Sequence, residues 1–538
     1  MKTQRLGTMI DCSRNAVMSI AALKKWIDIT SSLGYNTVML YTEDTYEVDD
    51  NPYFGYLRGR YSKAELKEID AYAAGKGMEL IPCIQTLAHL NAIKRWPCYS
   101  SMFDIDDILL AGDESVYSLI DKMFSTLSEC LTTKIINIGM DEAHNIGRGR
   151  FFDLHGAADR SELLLKHLNR VSEIGRKYGF TLIMWSDMFF RLMTGGNYYD
   201  NISFSQEIKD KIPDNVQLVY WDYYSTDKKH YDKMLKSHAL LSDDIWFAGG
   251  LWTWQGFAPN NDFSLKTTKS ALKSCEEHGI KNIFLTLWGD DGGECSRFTV
   301  LPSLFAASEY AKGNYNMGDI KRKFKEKFGI SYDRFILLDL PDGPNKGRDV
   351  RNPEKYLLYN DPFAGIFDST LNGDESERFS KCARKLSLLK KDPEWGFLFS
   401  AMHALCDALA VKANIGQETR RVYADRDTDE LNALIDKYKL LIKKLNAFYK
   451  AYREQWFKEN KAQGFEIQDM RIGGIIKRAE NCRDRLILLR DGKIDHIDEL
   501  DEKLIDAYGG GDNFYKGPVC FQSWYRTFTA GVISHGIN

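Results

Sequence analysis

The stretch Lys134-Ile135-Ile136-Asn137-Ile138-Gly139-Met140-Asp141-Glu142-Ala143-His144 decides how the rest of this 538-residue chain is read. Ile135, Ile136 and Ile138 form an apolar, β-branched run that is too short for a helix and predicts a buried strand. Gly139 follows, and then two adjacent carboxylates, Asp141 and Glu142. A strand ending in paired acids places them at the carboxyl edge of a sheet, where α/β folds keep their chemistry. Taken alone, such a pair is more often an acidic loop that solvates a strand end. The company it keeps along the first 310 or so residues tips the reading toward a site.

Seven further strand patterns flank this one, at residues 6–11, 37–41, 78–85, 181–185, 216–221, 246–252 and 282–288. Helical spacing fills the gaps. Val17, Ile20, Leu23 and Ile27 predict a helix capped by Ser13 or Asn15 and stopped by Gly34. Ser62 and Glu65 form a capping box for the next helix. Val116, Leu119, Met123 and Leu127 mark another, as do Leu164, Leu168 and Val171. Eight alternations over this length predict a closed (β/α)₈ TIM barrel. A doubly wound sheet is the competitor, but residues 11–15, DCSRN, are not its glycine-rich phosphate turn.

The barrel is expected over residues 1–312. Residues 313–374, with Pro341, Pro344, Pro353 and Pro362, read as an irregular connecting segment. Residues 375–538 read as a mainly helical C-terminal domain, with helices at about 375–391, 396–422, 427–460 and 470–491. The run Leu431, Leu434, Tyr438, Leu441, Leu445 and Phe448 suits an antiparallel bundle, packed on the barrel or serving as a homo-oligomer contact. The tail from Gly509 onward carries no readable pattern.

Net charge is −4, with acids and bases interspersed, so neither a nucleic-acid nor an anionic-membrane partner is expected. Ten cysteines without CxxC pairing read as free thiols in a reducing compartment. The first residues lack an apolar leader, and no apolar run is seen near the roughly 20 residues that span a bilayer. The expectation is a cytoplasmic protein.

In a barrel, the residues that follow the strands share one rim. That rim collects Arg14, Glu43, His89, Asp141, Glu142, Trp185, Asp187, Trp221, Asp222, Tyr223, Trp252, Trp254, Trp288 and Asp290. Tryptophans end strands five through eight, which suggests an aromatic box for one sugar ring. His89, Asp141, Glu142, His144 and His155 are candidate metal ligands by residue type, but no HxH or HExxH pairing occurs, so neither a metal nor any other cofactor is expected. No GxSxG elbow is present for serine chemistry.

With these motifs in order, residues 1 to about 310 resemble glycoside hydrolase family 20, the β-N-acetylhexosaminidases, in a divergent bacterial-type branch without the small α+β domain that often precedes the barrel. The resemblance implies Glu142 as general acid/base and Asp141 as the residue that orients the substrate's 2-acetamido group. It implies sugar contacts from Arg14, Glu43, His89, Trp185, Trp221, Trp288 and Asp290. The sequence departs from the family's GGDE at Met140. It also has Leu251-Trp252-Thr253-Trp254 where a tyrosine usually follows strand seven, which makes Tyr223 the substitute. The implied activity is exo-acting release of terminal β-linked GlcNAc or GalNAc from an oligosaccharide. A sugar-binding scaffold and a metal-dependent hydrolase on the same barrel are the alternatives.

The chemistry fits without the name. Most retaining glycosidases hold two carboxylates about 5–5.5 Å apart, one of them a nucleophile. Adjacent side chains on an extended strand point to opposite faces, so a local twist is needed to bring both acids to one pocket. In the substrate-assisted variant the acetamido carbonyl attacks instead, and the two acids are expected to drive their pKa values apart.

Overall fold

The computed structural model describes residues 3–195, 197–200, 202–290, 292–343 and 352–505. Eight parallel strands close into a barrel: β1 (Arg5–Asp11), β2 (Thr37–Tyr41), β3 (Glu79–Cys83), β4 (Ile135–Asn137), β5 (Thr181–Trp185), β6 (Val216–Trp221), β7 (Ile245–Gly250) and β8 (Asn282–Leu287). Each strand pairs with its neighbours in chain order, and β1 closes on β8 through the register Arg5↔Asn282 to Ile10↔Leu287. The barrel is filled by inward side chains, among them Met9, Met39, Tyr41, Ile81, Cys83, Ile183, Trp185, Val219, Trp246, Ala248 and Phe284. Such a barrel has a packed interior rather than a pore, so its chemistry is confined to the carboxyl rim.

Local chemistry sets the helix boundaries. The Ser62 hydroxyl accepts from the Glu65 N–H while Glu65 returns a bond to the Ser62 N–H, the reciprocal box expected from sequence. The first helix, Ile20–Leu33, is capped by Ser19 rather than by Ser13 or Asn15. Ser13 is engaged with the Asp11 carboxylate, and Asn15 lies at φ 79°, so the chain turns before the helix starts. The loop after β3 adds a small antiparallel hairpin, Phe103–Ile105 with Ile108–Leu109, which the alternation pattern does not reveal.

The chain divides into two compact units. The first is Met1–Leu251, Ser264–Trp288 and Ser303–Ile320. The second is Trp252–Phe263, Gly289–Pro302 and Lys321–Asn538, so the segments after β7 and β8 belong to it. The segment read as an irregular connection, 313–374, is largely helical where described, with Met317–Phe328, Tyr332–Phe335, Ile336–Asp342 and Pro353–Tyr359. Its prolines misled: Pro353 occupies the first turn of its helix, where a missing N–H costs nothing. Long helices follow, including Thr428–Glu459, whose Leu431, Leu434, Tyr438, Leu441, Leu445 and Phe448 are all buried as the heptad pattern requires. The tail from Gly509 lies outside the described residues.

The stretch Gly396–Asp425 is, by length and apolarity, able to cross a membrane, contrary to the expectation that no run comes near that length. It is split into Gly396–Lys412 and Ile415–Asp425, and Leu398, Phe399, Met402, Leu405 and Leu409 are fully buried. Those side chains behave as the core of a helical unit.

Within the second unit, Glu294 forms ion pairs with the buried Lys355 and, at 2.8 Å, with Arg471. Removing one partner of a buried pair leaves an uncompensated charge. Lys355→Met is therefore expected to destabilise the second unit by about 3 kcal/mol. Ser62→Ala in the first unit should cost only about 1 kcal/mol. Urea titration followed by hydrogen exchange in Pro353–Tyr359 and Lys63–Gly75 would separate the two effects.

Candidate active site

The strand that carries the acid pair ends early, at Asn137, and the backbone then takes a tight path. Gly139, Met140 and Glu142 adopt φ of 73°, 66° and 54°, the left-handed region. This is the twist that an extended strand lacks: it lets Asp141 and Glu142, adjacent in sequence, both reach His89. The His89 Nε2 lies 3.3 Å from Asp141 Oδ2 and 3.7 Å from Glu142 Oε2. Gly139 has no freedom to be another residue, because a Cβ there would stand 2.1 Å from Gln85 Oε1.

A hydrogen-bonded chain runs across the rim from that centre. Gln85 Nε2 donates to Asp141 Oδ1 at 2.7 Å and to the Tyr41 hydroxyl at 2.9 Å, while its Oε1 accepts the Met140 N–H at 3.2 Å. The Met140 bond fixes which way the amide points. The Tyr41 hydroxyl donates to Glu43 Oε1 at 3.1 Å, and Arg14 Nε donates to the same oxygen at 3.2 Å. Burial pushes the Glu43 carboxyl up, opposed by the Arg14 charge.

Charge is distributed unevenly over this chain. Burial alone would lower the His89 pKa, but the Asp141 carboxylate outweighs it and lifts the imidazole to about 9. Burial pushes Asp141 up, yet the His89 charge and the Gln85 hydrogen bond hold it below the ordinary carboxylate value. A third acid stands behind the pair. Asp187, fully buried at the start of the helix Asp187–Thr194, accepts the Glu142 N–H on Oδ2 at 3.1 Å, with Arg191 Nε 3.5 Å away. Burial, and then the charges of Asp141 and Glu142, raise it to about 7. Asp141 and Asp187 are thus pushed in opposite directions.

The aromatic wall is built from β5, β6 and the residue after β8. Trp185 is buried and lies 6.0 Å from Trp288, whose ring meets Tyr41 edge-on at 4.7 Å. Trp221 stacks on Tyr223 at 5.4 Å and an interplanar angle of 22°. The Trp288 side chain also hydrogen-bonds the Tyr223 hydroxyl. Trp221 and Trp288 keep part of their surface exposed. Tyr198 supports the wall, 4.7 Å from the Trp221 ring and accepting the Trp221 N–H at 3.1 Å.

The first unit thus carries Arg14, Glu43, His89, Asp141, Glu142, Trp185, Trp221, Tyr223 and Trp288. Trp252, Trp254 and Asp290 belong to the second. β7 ends at Gly250, two residues before Trp252, so the pattern of tryptophans ending four successive strands does not extend to it. Trp252 and Trp254 are buried, stack on each other at 4.3 Å, and Trp252 meets Phe263 edge-on. His144 and His155 are exposed, and the His144 N–H donates to the Glu142 carbonyl at 2.6 Å, beside the network around His89. Gln85, Tyr41 and the supporting role of Asp187 escaped the sequence reading. A lone polar residue closing the apolar run at 80–84 was the available signal for Gln85.

The sign of the His89 shift gives a stability prediction. Its folded pKa lies above the usual 6.5, so its contribution is fully present below pH 6.5 and is lost as pH rises through about 9. At most roughly 3 kcal/mol of stability should disappear over that window. In His89→Gln the same stretch of the pH–stability curve should be flatter, as measured by chemical denaturation at each pH.

Two family profiles and several known proteins are similar to this chain. The profile described as "Glycosyl hydrolase family 20, catalytic domain" matches residues 5–243, and "Glycoside Hydrolase 20C C-terminal domain" matches residues 333–515. Bovine Hexosaminidase D is 25% identical over 283 residues, covering 50% of this chain and 75% of that protein. Human Hexosaminidase D is 25% identical over 232 residues, covering 39% and 43%. A solved β-N-acetylhexosaminidase from Bacteroides fragilis is 21% identical with a TM-score of 0.47, covering 61% of this chain and 70% of that one. With one profile spanning the strand that bears Asp141 and Glu142 and the other lying on the C-terminal helices, the chain belongs to glycoside hydrolase family 20.

Proposed function

We propose that this protein is an exo-acting, retaining β-N-acetylhexosaminidase that releases terminal β-linked GlcNAc or GalNAc by substrate-assisted catalysis. The observation that carries the reading is the engagement of Asp141. Both its oxygens face donors, Gln85 at 2.7 Å and His89 at 3.3 Å. A carboxylate so held stays ionised but is a poor nucleophile. It keeps lone pairs to accept one more N–H, which is what an acetamido group offers.

The steps follow from that geometry. Glu142, whose side chain is 45% exposed, protonates the glycosidic oxygen as the bond to the anomeric carbon breaks. The acetamido carbonyl oxygen attacks the same carbon and closes a bicyclic oxazolinium. Asp141 accepts the acetamido N–H and stabilises the positive charge that develops on it. Water then opens the ring, with Glu142 taking its proton, and configuration is retained. The indole and phenol faces of Trp185, Trp221, Trp288 and Tyr223 give the sugar ring an apolar wall. The Arg14–Glu43 pair offers donors and acceptors to its hydroxyls.

Glu142→Gln keeps the shape of the side chain and cannot donate a proton. Its kcat on an unactivated disaccharide is expected to fall by at least about 10²–10⁴-fold, and by less on a substrate with a very acidic leaving group. A thiazoline analogue of the cyclised sugar should inhibit far more tightly than substrate binds. A glycosyl ester on Asp141, trapped with a fluorosugar and seen by mass spectrometry, would refute substrate assistance.

Asp187 generates a separate expectation, because it holds Glu142 through the backbone. Asp187→Ala leaves the Glu142 N–H unpaired and its left-handed conformation unsupported. The loss of about one hydrogen bond predicts a roughly ten-fold lower kcat with little change in KM. Asp187→Asn retains an acceptor and should recover most of that rate. Equal kinetics for the two variants would remove Asp187 from this role.

A further inference from the structure

An exposed aromatic cluster stands on the two barrel loops that carry Glu43 and His89. Tyr53 and Tyr56, on the loop after β2, are 46% and 43% exposed. Trp96, on the loop after β3, is partly exposed and lies 5.1 Å from Tyr53 and 5.6 Å from Tyr56, while the two tyrosines sit edge-to-face at 6.2 Å. Leu57 beside them is 64% exposed and adopts φ 62°, a backbone conformation that a branched apolar residue takes only where the chain is held.

The cluster is rigidly mounted. Arg95 ties the loops together: its guanidinium lies 4.9 Å from the Trp96 ring centre and its Nη2 donates to the Tyr56 carbonyl at 2.9 Å. Arg58 donates to Asp44 Oδ1 at 3.0 and 3.2 Å and also to the Ser13 carbonyl. Asp44 and Ser13 adjoin Glu43 and Arg14, so the mounting runs directly to the sugar-facing end of the candidate site. Below the rings, Phe54 is buried against Tyr46 at 5.3 Å. Preorganised rings lose little conformational entropy when they bind.

We propose that Tyr53, Tyr56 and Trp96 form a platform for an oligosaccharide, taking the part of the glycan that lies beyond the bond cleaved at Glu142. This deepens the reading given under Proposed function and rests on it. Pyranose rings present apolar C–H faces that pack on aromatic faces, and none of the three ring pairs is stacked face to face, which leaves the tyrosine rings 46% and 43% exposed. A second protein is the poorer occupant. The apolar surface amounts to four side chains, flanked along the chain by Arg58, Arg60, Lys94 and Arg95, whereas a stable protein interface buries about 800 Å² per partner.

The test compares kcat/KM on a tetrasaccharide of β-linked N-acetylhexosamine with that on an aryl monosaccharide. Replacing Tyr53 and Tyr56 by Ala together, or Trp96 by Ala, should lower the tetrasaccharide-to-monosaccharide ratio by about ten-fold, mainly through KM. Tyr53→Phe with Tyr56→Phe keeps the rings and should keep the ratio. An unchanged ratio in the Ala variants, or a wild type that shows no preference for the longer substrate, overturns the platform. So does a concentration-dependent dimer that the Ala variants abolish, which would make a second copy the occupant. If the wild type cleaves neither substrate, the catalytic reading fails and the platform is judged by calorimetric binding of the tetrasaccharide. Weaker binding by the Ala variants then upholds it, and equal binding overturns it.

Discussion

One imidazole between two carboxylates sets the demands on the rest of the rim. For His89 to stand 3.3 Å from Asp141 and 3.7 Å from Glu142, the chain after β4 must turn two consecutive side chains toward the same side. Three residues in left-handed conformation do this, and two of them, Met140 and Glu142, are not glycine. Each such residue costs of order 1 kcal/mol or more. The cost is offset from the neighbouring strands. The Met140 N–H is taken by Gln85, just past β3, and the Glu142 N–H by Asp187, just past β5. Gln85 and Asp187 therefore support the acids through the backbone.

The same arrangement explains the balance of charge. Glu43, Asp107, Asp141, Glu142 and Asp187 crowd around two cations, Arg14 and His89, with Arg191 at the margin. Not every acid in such a cluster can ionise at low cost. Asp187, the most deeply buried of them and flanked by the charges of Asp141 and Glu142, is pushed to about 7 although Arg191 Nε lies 3.5 Å away. Asp141, with His89 beside it, is held ionised. Burial favours the neutral form of both, and the position of one imidazole decides between them.

Much of this was legible in the chain. The strand periods, the Ser62–Glu65 box and the heptad positions of Thr428–Glu459 report directly on local geometry, and the structure has them where the pattern puts them. The acid pair could be found because polar residues at the end of an apolar run are conspicuous. Tyr41 could not, since in Thr-Val-Met-Leu-Tyr it is one more apolar strand residue, and only its hydroxyl partners reveal it. The end of β7 could not be read, because Gly249 and Gly250 give no sign that the strand stops two residues before Trp252. Periodicity cannot show that the following segment folds with another unit. Pro353 was misread because a helix start and a helix breaker use the same residue.

The shortness of β4 ties these observations together. It has three residues, and its strand register with β3 is the single pair Cys83↔Asn137, while β5 runs on to Trp185. Beyond Asn137 the ladder is continued by isolated bonds, Thr86 N–H to the Ile138 carbonyl and Trp185 N–H to the Gly139 carbonyl. Leaving the ladder this early frees the Met140 and Glu142 N–H groups from strand partners, and side chains from either flank can then claim them. A longer β4 would satisfy those groups within the sheet and return Asp141 and Glu142 to opposite faces. The early end of one strand is thus the condition for two adjacent acids to face one imidazole, and Gly139 is where the sequence writes it.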